Sequence, residues 1–264
     1  MVTRDNYFDT ENELKYFGST QFKRFMNCEA EALAILKGEY IPEKTTALMV
    51  GSYVDAYFEG ALDKFKAEHP EILKRDGTLK TDYILADSVI NRCEADPFFM
   101  RYMSGDKQVI ITAELFGHPF KIRIDSYHPG KAIVDLKCMK DFEPVYVEGK
   151  GKINFIEAYG YDIQGAIYQA VEQQARIDAG EKDAEKLPFY IAGVTKQRDG
   201  SDIEIFEIPQ HKLDAALKIV EHYVDEFAGV KSGEIVPRRC GRCAYCRKTK
   251  KLREIKVLED MQNE

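Results

Sequence analysis

Along the first hundred positions, apolar residues recur at helical spacing; afterwards the period changes. Phe22, Phe25, Met26, Leu33 and Leu36 predict a helix that starts at Ser19 or Thr20 and runs to about Gly38. A second helix is expected from Thr46 through Phe58, ending near Gly60. The stretch 63–82, with Pro70 and Asp76-Gly77, reads as a polar loop or short helix. Helical spacing returns over 83–103, with a break before Pro97. Residues 1–18 read as an irregular lead-in.

From there the chain alternates. Val109–Leu115, Phe120–Asp125 and Ala132–Leu136 have strand character, separated by turns at Gly117-His118 and Pro129-Gly130. A helix is expected from about Phe155 to Ala179. PFYIAGVTK and DIEIFEIP then predict two more strands around Asp199-Gly200, and a last long helix runs from Gln210 to Phe227. Helices, a meander, a helix, a hairpin and a helix make an α/β arrangement with a central mixed sheet flanked by helices. A chain of 264 residues can bury this as one domain. Its parts are an N-terminal helical region (19–103), a core (104–228) and a basic, cysteine-bearing tail (229–264).

Composition narrows the options. Apolar residues make up 44% and charged ones 31%, as in an ordinary globular protein. No 18-residue apolar run exists and the N-terminus has no apolar core, so neither a membrane span nor a signal peptide is expected, and the cytoplasm is the expected compartment. A net charge of −7 argues against a general nucleic-acid coat. The tail differs: residues 231–256 hold ten Lys or Arg against Glu234 and Glu254, which is either a solvated face or a surface for backbone phosphates.

The most informative chemistry is Glu114, Asp125, Asp135 and Lys137. Asp125 ends one alternating run, Asp135 ends the next, and Lys137 lies two residues on. Phosphodiester hydrolysis needs a hard divalent cation held by carboxylates and carbonyls. Asp125, Asp135 and the Leu136 carbonyl can supply those oxygens, and on a strand Lys137 points the same way as Asp135. The plain alternative is a set of strand-end surface charges. Val134 and Leu136 argue against it, because a charge set among apolar strand residues needs a partner or a metal.

With these residues the chain resembles the PD-(D/E)xK nuclease superfamily: phage-type exonucleases related to exodeoxyribonuclease VIII, and nuclease domains of RecB, AddB and Cas4 type. The family's second motif matches Asp125, its (D/E)xK motif matches Asp135-Leu136-Lys137 in IVDLK, and its preceding acid matches Glu114. The Gln-x-x-x-Tyr motif of such relatives matches Gln164 and Tyr168, one helical turn apart and so on one face. Asp55 stands where many RecB-like relatives carry a metal-binding histidine. The resemblance implies a restriction-endonuclease-like core and a Mg²⁺- or Mn²⁺-dependent exonuclease that digests linear double-stranded DNA from an end. Metal would sit on Asp125, Asp135, the Leu136 carbonyl and Asp55. Lys137 would be catalytic, Glu114 a support or second-ion ligand, and Gln164 and Tyr168 would position the phosphate. It also implies phage-type recombination with a single-strand annealing protein, and a homo-oligomer. The alternatives are a single-strand-specific or nicking nuclease, and a DNA-binding protein with a vestigial site.

Cys240, Cys243 and Cys246 lie three apart in CGRCAYC, and a structural metal site usually takes four ligands. In the AddB- and Cas4-type relatives an N-terminal cysteine joins three C-terminal ones around a [4Fe–4S] cluster. Cys28 matches that position, although the final tail spacing here is tighter. Zn²⁺ or no metal are the alternatives. Cys93 and Cys138 read as ordinary thiols, and His118 and His128 as surface residues.

Overall fold

A computed structural model describes residues 1–252. The helices are α1 (Thr10–Lys15), α2 (Ser19–Asn27), α3 (Glu29–Leu36), α4 (Thr46–Phe58), α5 (Leu62–Glu68), α6 (Thr81–Glu94), α7 (Pro97–Tyr102), α8 (Phe155–Ala158), α9 (Tyr161–Asp178), α10 (Gln210–Ser232) and α11 (Ala244–Lys248). The strands are β1 (Asp106–Leu115), β2 (His118–His128), β3 (Ala132–Met139), β4 (Val145–Val147), β5 (Gly151–Ile153), β6 (Phe189–Thr195) and β7 (Ile203–Glu207). Five strands form one mixed sheet in the order β1-β2-β3-β6-β7, in which only β3 and β6 run parallel. That parallel pair is joined through α9, as a parallel connection requires. No helix among the described residues is long and apolar enough to cross a membrane.

Strand alternation divides the interior in two. Ile133, Phe189 and Ile191 point into a core shared with α2, α3, α9 and α10. Val134, Leu136, Ala192 and Val194 point to the other face, against α4 and α6. Asp135 and Lys137 therefore share the face of Ile133, toward α9. Gly165 lets α9 come close: a Cβ there would lie 2.8 Å from the Phe189 ring and 2.9 Å from Leu213.

The expected elements are present, with four differences. The helix expected over 19–38 is two helices, because Cys28 is extended (φ −164°, ψ 107°) and turns the chain toward the tail. The helix expected over 155–179 is broken at Gly160, whose φ of +62° is left-handed. The lead-in is not wholly irregular: it holds α1, and Phe17 bridges to Phe120. Asp125 and Asp135 lie within strands that run on to His128 and Met139, not at strand ends. The last twelve residues of the expected tail, 253–264, lie outside the described residues.

One buried and one half-buried lysine dock the lead-in. Lys121 of β2 is fully buried, pairs with Glu13 at 2.7 Å, donates to the Tyr7 carbonyl and lies 4.5 Å from the centre of the Tyr7 ring. Lys231, near the end of α10, donates to the carbonyls of Glu13 and Tyr16 and to Gln21 Oε1, over the Phe17 ring. Removing one member of a buried pair strands the other, at about 3–5 kcal/mol, whereas an exposed pair contributes about 0–1 kcal/mol. Lys121→Ala is therefore expected to lower the urea midpoint strongly. Lys212→Ala, which breaks an exposed pair with Glu157, is expected to move it little. Equal shifts would show that Lys121 does not hold the N-terminal segment.

Candidate active site

The register of the sheet builds the site. Extrapolating the β2–β3 ladder sets Asp125 opposite Asp135, but pairing stops at Ser126 and Val134. On its other side, Asp125 also lacks a partner in the β1–β2 ladder, which skips from Lys107–Ser126 to Val109–Ile124. The Asp125 side chain takes up the freed backbone donor: Leu136 N–H donates to Asp125 Oδ2 at 2.9 Å. Gln108 Nε2 donates to Asp125 Oδ1 at 3.1 Å.

Asp135 is only 2% exposed. Its Oδ1 accepts from Gln164 Nε2 of α9 at 2.7 Å. Its Oδ2 makes an ion pair with the Lys137 ammonium but no hydrogen bond of regular geometry. Lys137 also lies 5.3 Å from the centre of the Tyr161 ring. Tyr168, one turn beyond Gln164, donates its hydroxyl to the Arg123 carbonyl at 3.0 Å. Asp125, Asp135, Lys137, Gln164 and Tyr168, with Asp55 of α4, line one cleft of about 360 Å³.

The electrostatics follow from burial and crowding. Burial, then the Asp135 charge, pushes the Asp125 carboxyl up to about 7, against the opposing pull of Lys137 and the two hydrogen bonds. Burial, then Asp125, holds Asp55 well above the ordinary carboxylate range. Burial works against the Lys137 ammonium, yet the Asp135 and Asp125 carboxylates keep its pKa above that of an ordinary lysine. Asp55, Asp125 and Asp135 thus crowd around the Lys137 ammonium, and a cation between them would favour the ionised form of the two carboxyls whose pKa is raised. Carboxylate oxygens of this kind suit a hard divalent cation, and Leu136 lines the same cleft. The carboxylates do not close into a ready-made cage: among the described residues, the His, Cys, Asp and Glu ligand atoms that gather within 4.8 Å of one another are the four cysteine sulfurs.

Of the sequence-predicted residues, the structure brings together Asp55, Asp125, Asp135, Leu136, Lys137, Gln164 and Tyr168. It does not bring Glu114. That residue is exposed near the far end of β1, opposite Pro119, six positions beyond Gln108. At about 3.3 Å per residue this is roughly 20 Å from Asp125. The glutamates that do enter the cleft are Glu13 and Glu59. His118 and His128 are half-buried strand residues, bonded to Asp225 and to the Tyr102 carbonyl, and neither lines the cleft.

Several residues of the cleft had no sequence signal. Tyr7, Phe8, Arg24, Lys121 and Arg123 line it. Lys23 lies just behind, donating to Gln164 Oε1 at 3.3 Å, and burial and then the Lys137 charge bring its pKa down to about 8. Gln108, whose φ is +54°, does not line the cleft but reaches Asp125 from β1. Arg123 and Lys121 share β2 with Asp125, two and four residues before it, and the others are contributed by segments outside the strand pair that carries the acids.

A second cluster lies at the chain's closure. Cys28, Cys240, Cys243 and Cys246 bring their sulfurs within 4.8 Å of one another, with Cys28 and Cys246 3.6 Å apart. Cys243 N–H donates to Cys240 Sγ and Cys246 N–H to Cys243 Sγ, each at 3.3 Å. Four thiols in a tetrad suit a soft or borderline metal centre and no disulfide is present among them. Arg238, one of the basic residues of the tail, is held by Glu29 at 2.6 Å and Glu226 at 3.1 Å. Lys248, Lys250 and Lys251 are exposed.

The crystal structure of a protein named "Putative exonuclease" from Eubacterium rectale is 42% identical to this chain, with a TM-score of 0.91 over 99% of this chain and 98% of that one. The crystal structure of SSO0001, at 13% identity and a TM-score of 0.27 over 78% of this chain and 85% of that one, is too distant to bear on the site. No curated protein sequence matches. The family model described as PDDEXK-like domain of unknown function (DUF3799) matches residues 18–249, which include both clusters apart from the lead-in side chains, and the chain belongs to that PD-(D/E)xK family.

Proposed function

We propose that the protein is a Mg²⁺- or Mn²⁺-dependent exodeoxyribonuclease that digests linear double-stranded DNA from an end. The observation that carries this is the convergence of Asp125, Asp135, Lys137 and Gln164 in one cleft. The likeness to the "Putative exonuclease" supports the end-directed mode.

Asp125, Asp135, the Leu136 carbonyl and Asp55 would hold the cation, which supplies charge neutralisation at the phosphate and a more acidic water. The chain's own groups do the rest. Lys137 orients the attacking water and meets the charge that develops on the phosphate. Gln164 holds Asp135 in place, and Lys23 holds Gln164. Arg24, Lys121 and Arg123 give the acidic cleft a cationic wall for backbone phosphates, which positions any sequence equally. Phe8, 66% exposed at this wall and covered by the Arg123 guanidinium at 5.1 Å, offers a ring to a base at a frayed end.

The cysteine tetrad would hold a [4Fe–4S] cluster, with Zn²⁺ as the alternative. Either would join α3's start to the tail and so hold the ends of the core together. The resemblance to phage-type exonucleases is what supports a role in recombination, with a single-strand annealing protein as partner and a homo-oligomer as the working form.

Three outcomes are expected. With Mn²⁺ the protein degrades linear duplex DNA and leaves covalently closed circles intact; cutting of circles would favour a nicking enzyme instead, and activity confined to single strands would favour that alternative. Lys137→Ala lowers the cleavage rate about 100- to 1,000-fold with DNA binding retained; an unchanged rate would mean the site is vestigial. Cys28→Ala lowers the metal content of anaerobically purified protein, read by metal analysis and visible absorbance, and lowers its thermal midpoint. A full complement of metal in that variant would remove Cys28 from the ligand set.

A further inference from the structure

Gln108 takes no part in the chemistry above, yet it is the residue that reaches Asp125 from β1. It is 4% exposed and sits in the left-handed region at φ +54°, at the one position where the β1–β2 ladder is interrupted. A side chain other than glycine is unfavourable there, and such backbone persists where the surroundings demand it. Its Nε2 donates to Asp125 Oδ1, while Leu136 N–H donates to Oδ2. The two oxygens of Asp125 are thus held by separate donors, one from each neighbouring strand. Rotation of the carboxylate about its own bond is prevented from both sides.

The other half of the amide is left unsatisfied. Gln108 Oε1 is buried and accepts no hydrogen bond among the described residues. Gln108 borders a cavity of about 10 Å³ with Asp55, Glu59 and Asp125, room for about one water-sized guest. An orphaned buried acceptor is costly, and a glutamine kept for packing alone would be replaceable by an apolar side chain of the same size. The unfavourable backbone and the orphaned oxygen occur in the same residue, and the contact they preserve is the one to Asp125.

We propose that Gln108 is a positioning residue: its amide locks the Asp125 carboxylate in the orientation that receives a divalent cation. This rests on the cation-binding reading of Asp125 and Asp135. Groups that orient a metal ligand typically contribute about 10- to 100-fold to metal affinity.

The test is calorimetric titration of the full-length protein with Mn²⁺, comparing wild type, Gln108→Met and Gln108→Gly. Met keeps the length and volume and loses the donor. Gly also loses the donor but accepts the left-handed backbone, so it is expected to fold even if Met does not. Both variants are expected to bind Mn²⁺ about 10- to 100-fold more weakly, with a cooperative thermal unfolding transition retained by the Gly variant. Cleavage is expected to recover at saturating Mn²⁺, which a distorted fold would not allow. Affinities within about twofold of wild type in variants that fold would overturn the role of Gln108. A wild type that binds no Mn²⁺ would instead overturn the cation reading on which it rests.

Discussion

The structure turns on the place where two strands stop pairing. β2 and β3 hold together from Ser126 to His128 and from Ala132 to Val134, then part at Asp125 and Asp135. Had the ladder continued, the two acids would face each other across a hydrogen-bonded sheet with their backbones satisfied and no room between them. Instead the Asp125 carboxylate accepts the Leu136 N–H that the ladder gave up. A buried backbone donor must find an acceptor, and here the acceptor is itself a candidate metal ligand. Leu136, beside this divergence, lines the cleft together with the acids.

Around that gap, the fold controls charge by enclosure. Asp135 receives an amide from α9 and an ammonium from its own strand. Asp125 receives only neutral donors, and burial with the nearby Asp135 charge raises its pKa. Asp55 arrives from a helix packed on the other core. Each acid is costly to keep ionised in isolation. Together they form a site in which a divalent ion would favour the ionised carboxylates, which is the electrostatic logic of the proposed chemistry.

The chain ends serve this arrangement from opposite sides. The lead-in, docked by Lys121 and Lys231, walls the cleft with Tyr7, Phe8 and Glu13. The tail returns to Cys28, at the break between α2 and α3, where Arg238 N–H and guanidinium both bind Glu29. Because α2 also supplies Arg24 to the cleft and Lys23 behind it, one helix connects the cysteine tetrad to the acidic site.

Much of this was legible from residue order. Alternation identified β1, β2 and β7, and short apolar, β-branched runs bounded by turn residues identified β3 and β6, which are buried on both faces and so need not alternate. The spacing of Asp135 and Lys137 placed them on one face, and that of Gln164 and Tyr168 on one helical turn, because those distances are set by local geometry alone. Glu114 shows the limit: it has the right residue type on the right strand, but antiparallel pairing carries it to the far end, opposite Pro119. The break at Cys28, the docking of the lead-in, and the approach of Lys23 and Gln108 to the acids depend on contacts between segments far apart in the chain. Local spacing determined which side chains share a face; only the packing of distant segments decided which of those faces meet.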